Sequence, residues 1–105
     1  MLGWRLTRID GDSMTPDISP GSYAIFRRRP YYTPGDTVLC DHSVYGRITK
    51  RIVSTEPDGF RLAGTNPKSV STEAMGVLEA HRVLGKLTMV FSPPKTRAAS
   101  ITELE

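Results

Sequence analysis

Cysteine is nearly absent from this chain, histidine occurs only twice, and long apolar runs are missing. A single cysteine, Cys40, excludes an internal disulfide framework and leaves a reducing compartment permitted. In the run Thr37-Val38-Leu39-Cys40 it reads as a small packed hydrophobe, and a nucleophilic Cys40 with His42 or His81 lacks an orienting group. The two histidines are too isolated to form a ligand set, so neither a metal nor an organic cofactor is implied. No segment approaches the roughly 18–20 consecutive apolar residues that span a bilayer. The opening Met1-Leu2-Gly3-Trp4-Arg5-Leu6-Thr7-Arg8 alternates, unlike the apolar block of a secretory signal. The expectation is a soluble, cytoplasmic protein, membrane-associated only if this is a fragment whose anchor lies outside the chain.

With 105 residues, 38% of them hydrophobic, the chain can bury one core and no more. Nine glycines and eight prolines suggest many turns and short strands. Strands are expected over residues 3–9, 22–27, 36–41, 45–54, 59–63 and 82–91. Asp58-Gly59 is the expected hairpin turn before Phe60-Arg61-Leu62, and short helical turns are expected near residues 14–18 and 73–75. The class is therefore mainly β: a single small domain over residues 1–91, followed by a flexible tail, 92–105, without periodicity. Its last two residues, Leu104-Glu105, have the look of a vector scar. The net charge is +3, and the run Arg27-Arg28-Arg29 is what a nucleic-acid contact would use. It sits at the end of a predicted strand, where a solvated loop is expected, without a helix-turn-helix, zinc set or RNP-like strand. Nucleic acid is not the expected partner.

One strand contains a residue out of place. If residues 47–53 alternate faces, Ile48, Lys50 and Ile52 share one, while Arg47, Thr49, Arg51 and Val53 share the other. The first face is apolar except for Lys50. An ammonium among isoleucines is desolvated, which favours the neutral amine, and a neutral amine near pH 7 is a general base for a hydroxyl. The competing reading is an edge-strand lysine that snorkels its head to water.

A hydroxyl of the right kind lies upstream, in Gly11-Asp12-Ser13-Met14-Thr15-Pro16. Gly11 allows backbone conformations closed to other residues and Pro16 fixes a φ angle, so Ser13 is expected on a short turn that could hold its hydroxyl outward. Backbone N–H groups of such a turn, that of Ser13 among them, can face a developing oxyanion. The competing reading is a serine that caps the turn through its side chain.

Both segments resemble the S24/S26 superfamily of serine peptidases, which contains LexA-type repressors and type I signal peptidases. The resemblance covers residues 9–91. It begins with the nucleophile run Gly11-Asp12-Ser13-Met14 and Pro16, then the turns Pro20-Gly21-Ser22-Tyr23 and Pro34-Gly35-Asp36-Thr37-Val38. Thr49-Lys50-Arg51-Ile52 is similar to the family's lysine box. Leu62-Ala63-Gly64-Thr65-Asn66-Pro67 with Ser69 resembles the Gly-Asp-Asn-x-x-Ser box of the signal peptidase branch. Met75-Gly76-Val77 and Arg82-Val83-Leu84-Gly85-Lys86-Leu87 complete the series. Gly11 stands where signal peptidases often have an oxyanion-holding serine, and Thr65 where that branch has Asp. The second difference weakens an assignment as a standard secretory signal peptidase.

The resemblance implies irregular, coiled β-sheets and a Ser-Lys dyad: Ser13 as nucleophile, Lys50 as base, the Ser13 N–H as oxyanion donor and Met14 at the substrate. It implies cleavage of a leader or propeptide from a specific protein bound in extended form, as small soluble maturation peptidases do, and a possible homodimer. Two alternatives stand beside it: a self-cleaving stress-response domain of the LexA type, and a non-proteolytic interaction module that keeps the fold. Ala63-Gly64 resembles the dipeptide that LexA-type repressors cut in themselves, but its place after the lysine box makes it structural.

Overall fold

The computed structural model describes residues 3–11 and 13–92. Seven strands form one antiparallel sheet: β1 (Trp4–Arg8), β2 (Tyr23–Arg27), β3 (Thr37–His42), β4 (Gly46–Glu56), β5 (Gly59–Ala63), β6 (Val77–Glu79) and β7 (Val83–Phe91). Their order across the sheet is β1-β2-β7-β3-β4-β5-β6. One helical turn, α1 (Thr72–Met75), and a 3₁₀ turn at Ala80–Arg82 join β5 to β7 around β6. The mainly β class expected from the sequence is the class observed, while the tail from residue 93 onward lies outside the described residues.

β3 explains how so short a chain builds a core. Val38, Cys40 and Leu39 are all buried, and because successive side chains point to opposite faces, the strand feeds two clusters. Val38 and Cys40 join Ile52, Phe60, Leu62, Met75, Leu78 and Val83. Leu39 joins Ile9, Met14, Ile18, Ala24 and Phe26. The second cluster matters for function, since Met14 and Ile18 belong to the turn that carries Ser13. Burying such side chains contributes about 1.5–3 kcal/mol each, so the turn is plugged into the core at both ends.

That turn holds a single bond of helical spacing, Ile18 N–H to the Met14 carbonyl at 2.8 Å. It is a compact turn, with a cis Thr15-Pro16 peptide, where a short helical turn was expected. The second expected helical turn is α1, capped by Ser71, whose hydroxyl accepts from the Ala74 N–H at 3.1 Å.

The β4–β5 hairpin corrects another expectation. Its loop is Pro57-Asp58, closed by the pair Glu56↔Gly59, and not Asp58-Gly59. Proline pre-sets the φ of a first loop residue and has no N–H to offer a ladder. Gly59 enters the strand because its φ is +155° and a Cβ there would run into the Leu78 carbonyl of β6. β6 and the 3₁₀ turn were not expected at all.

β4 is shared unevenly between its neighbours. Gly46 to Arg51 pair with β3, whereas Arg51 to Glu56 pair with β5. Among the described residues, the first half of β4 therefore has a strand on one side only. β1, paired with β2 alone, is likewise an open edge. Both open edges border the cavity described next.

Candidate active site

A cavity of about 190 Å³ lies where the end of β1 meets the first half of β4. Thr7, Arg8, Ile9 and Asp10 form one wall, Arg47, Ile48 and Thr49 the other, with Leu39, Gly11, Ser13 and Met14 completing it. Arg47 is held in that wall by Asp41 through two bonds, Nε to Oδ1 at 2.9 Å and Nη2 to Oδ2 at 3.2 Å. Those bonds from Arg47 hold the Asp41 carboxyl below the usual range. Two strand edges and a serine-bearing turn thus enclose one slot.

Ser13 is half-buried in this wall. Among the described residues its hydroxyl makes no hydrogen bond, so the capping role considered for it is not seen. Its carbonyl is the anchored group, accepting from the Asn66 N–H at 2.8 Å. Met14 is 1% exposed; its side chain is a core plug that also borders the cavity.

Lys50 is buried, with 4% of its surface exposed. It lies opposite Val38 of β3 and alternates with Ile48, half-buried, and Ile52, fully buried. The snorkelling alternative fails on that burial. Lys50 does not line the cavity, but its neighbours Ile48 and Thr49 do. The lysine acts on Cys40: burial pushes that thiol up to about 12, Asp41 adds to the rise, and Lys50 opposes it. Cys40 is inert packing, its Sγ 3.7 Å from the Ile48 carbonyl oxygen.

The residues after β5 tie the serine turn to the lysine strand. β5 pairs with β4 through Ala63↔Arg51, and Gly64 follows directly after that last pair. A Cβ on Gly64 would collide with the Ser13 carbonyl oxygen and stand 2.6 Å from the Ser69 hydroxyl. The Thr65 hydroxyl donates to the Thr15 carbonyl at 3.0 Å, and the Asn66 amide to the Thr15 hydroxyl at 3.0 Å. Arg51, adjacent to Lys50 in sequence, reaches Asp17 at 2.7 Å. Residues 13–17 are therefore gripped from both β4 and the β5 extension. The segments carrying Ser13 and Lys50 are brought together; no hydrogen bond joins the hydroxyl to the amine.

Sequence reasoning named Thr65, Asn66 and Ser69 only through resemblance and gave them no task. The unusual Thr65 retains a grip on the turn through its hydroxyl. Arg51 and Asp17 were missed as a pair, because nothing in the spacing announces a contact across 34 residues. Gly64 of the Ala63-Gly64 dipeptide packs too closely on Ser13 to admit a side chain.

The remaining polar groups have structural explanations. His42 is buried; its Nδ1 accepts from the Val44 and Tyr45 N–H groups at 3.0 and 3.2 Å. Its Nε2 therefore carries the proton and donates to the Met75 carbonyl at 2.9 Å. Among the described residues, no group of three or more His, Cys, Asp or Glu is arranged to hold a metal ion. No helix among them is long and apolar enough to cross a membrane.

Comparison with known families gives one finding. Residues 4–88 match the family described as Peptidase S24-like. No curated protein matches the chain.

Proposed function

Because the chain belongs to the peptidase S24-like family, we propose that it is a serine endopeptidase with a Ser13-Lys50 dyad that removes a leader or propeptide from a specific protein. The observation that carries this reading is the buried lysine on a strand whose ladder grips the serine turn. A base beside the serine turn is what a Ser-Lys dyad needs, and burial favours the neutral amine that can serve as one.

The substrate segment enters extended between the open edges of β1 and the first half of β4, with its backbone pairing to one or both. Leu39 and Met14 border the slot, and the family resemblance implies small side chains beside the cut. Neutral Lys50 accepts the Ser13 proton as the hydroxyl oxygen attacks the carbonyl carbon, and the carbonyl π pair moves onto oxygen. The Ser13 N–H donates to that oxyanion. Collapse expels the amine, which takes the proton from the Lys50 ammonium and leaves an acyl-Ser13 ester. Water, deprotonated by Lys50, then hydrolyses the ester and restores both groups. The missing hydroxyl–amine bond requires only that the pair tighten when substrate excludes water, as catalytic contacts in ligand-free sites commonly do.

An active-site-directed fluorophosphonate or penem tests the reading. Labelling of the parent at Ser13, lost in Ser13→Ala and strongly reduced in Lys50→Met, supports the dyad. A well-folded parent that takes up no label would favour the non-proteolytic module.

A further inference from the structure

The slot between β1 and β4 is laid in rows by the β3–β4 register. Leu39 lies opposite Thr49, and Asp41, the next residue on that face, lies opposite Arg47. Alternation keeps both pairs on one side of the sheet, and Leu39, Thr49 and Arg47 all line the slot. Thr7 of β1 lines it as well, and Arg5 leaves β1 on the same side as Thr7. The charge of Arg5 reaches this corner: the Asp41 carboxyl is held low chiefly by the bonds from Arg47, and Arg5 and Arg82 act on it in the same direction. The serine turn is gripped at the other end of this half-strand, through Arg51 and Asp17. Four residues of extended chain, about 13 Å, separate Arg51 from Arg47.

The two ends of the slot differ in charge. Near the serine turn Arg8 is answered by Asp10 at 3.7 Å. At the far end Arg47 occupies both carboxylate oxygens of Asp41, at 2.9 and 3.2 Å. Arg82 is answered by Glu79 at 3.0 Å and gives its other bond to the Asp41 carbonyl. Arg5 is exposed and, among the described residues, forms no ion pair. Arg47 uses Nε and Nη2 on Asp41, and among the described residues its Nη1 donors make no bond. One positive charge in excess and a held guanidinium with donors to spare therefore sit together at the far end. A carboxylate matches such donors in charge and in planar geometry, whereas a basic side chain would meet two arginines.

We infer that the substrate segment carries an Asp or Glu about three or four residues from the scissile bond, selected by Arg5 and Arg47. Asp41 is the positioning residue that holds the Arg47 fork toward the slot. The inference rests on the peptidase reading for the direction in which the slot is used, and it adds the substrate chemistry at the end away from Ser13.

Reversible binding tests the selection without catalysis. Full-length Ser13→Ala is titrated by fluorescence anisotropy into labelled decapeptides of Ala and Ser that carry one Glu, or Gln at the same position. The best Glu peptide should bind about threefold to fivefold tighter than its Gln counterpart, as a half-exposed ion pair allows, and salt should erode the difference. Arg5→Gln and Arg47→Gln, each added to Ser13→Ala, should each remove most of it, because either change leaves the far end neutral. Both side chains are exposed, and Arg5→Gln decides the matter if Arg47→Gln disturbs the Asp41 corner. Arg61→Gln, on β5 and paired with Glu56, removes the same charge outside the slot and should leave the preference intact. No binding, equal binding of Glu and Gln peptides, or a preference lost equally in Arg61→Gln would overturn the inference. Cleavage of a mixed peptide pool by the parent, read by mass spectrometry, separates it from the reading beneath it. Cleavage with no acid enriched near the cut would overturn the selection and leave the peptidase standing; acid-selective binding with no cleavage and no fluorophosphonate label would do the reverse.

Discussion

The Asn66 backbone N–H donates to the Ser13 carbonyl at 2.8 Å, and that bond requires the chain at Gly64 to lie flat against Ser13. A side chain at position 64 has no room. The Ser69 hydroxyl beside it can rotate away, but the Ser13 carbonyl cannot move without shifting the hydroxyl on the same residue. Gly64→Ala should therefore cost about 1–3 kcal/mol by overpacking and slow fluorophosphonate labelling by more than the lost folded fraction explains. Denaturant melts paired with labelling rates measure the two effects separately. Labelling at the parental rate would mean that this contact does not position the nucleophile.

The Arg51–Asp17 pair grips the same turn from the other side. Both side chains are partly exposed, 39% and 46%, so the pair should contribute no more than about 1 kcal/mol to stability. Its expected effect lies in alignment, because Arg51 neighbours the proposed base and Asp17 lies on the turn of the proposed nucleophile. Asp17→Asn should leave the melting transition almost unchanged while labelling falls several-fold, and Asp17→Glu should recover part of it. A parallel fall in both quantities would reduce the pair to ordinary surface stabilisation.

Cys40 makes the alkaline limb of stability predictable. Its thiol ionises near 9.0 in an open chain and about 12 in the fold, chiefly through burial. The folded state thus holds the proton more tightly than the unfolded state, so this contribution is complete below pH 9 and is lost as pH rises toward 12. Stability of the parent should decline with pH across that window, and Cys40→Ala, though less stable throughout from the cavity it leaves, should decline less steeply. Urea melts at intervals from pH 8 to pH 11 give the slopes. Equal slopes in the two proteins would show that the thiolate is not excluded from the fold.

What the sequence made legible follows from how local each signal is. The alternation Ile48-Lys50-Ile52 is read within one strand, and the burial of Lys50 at 4% agrees with it. Ser13 on a constrained turn is equally local. Most strand bounds fall within a residue or two because Gly, Pro and Asp punctuate them. β6 was not legible: it is a three-residue edge, Val77–Glu79, held by pairing with β5 and by the space Gly59 leaves for Leu78. The hairpin loop was misplaced by one residue because the Gly59 φ answers to β6, a contact between elements, while the Asp58-Gly59 pattern is only local. The grip of Thr65, Asn66 and Arg51 on residues 13–17 joins segments distant in sequence, so its geometry appears only after folding.

His42 provides the control that separates fold from chemistry. It is buried and fully bonded, between the Met75 carbonyl and the Val44 and Tyr45 N–H groups, and its ring also packs on Tyr45 with centroids 4.8 Å apart. None of its contacts reaches the cavity that contains Ser13. His42→Ala strips partners from a buried carbonyl and from two turn N–H groups, which should cost about 1–3 kcal/mol. Labelling of Ser13 per folded molecule should stay at the parental level at temperatures well below the lowered melting point. Urea denaturation supplies the first quantity and the labelling rate the second. If labelling were lost while the melt stayed intact, a histidine would enter the mechanism and Lys50 would no longer serve alone as the base.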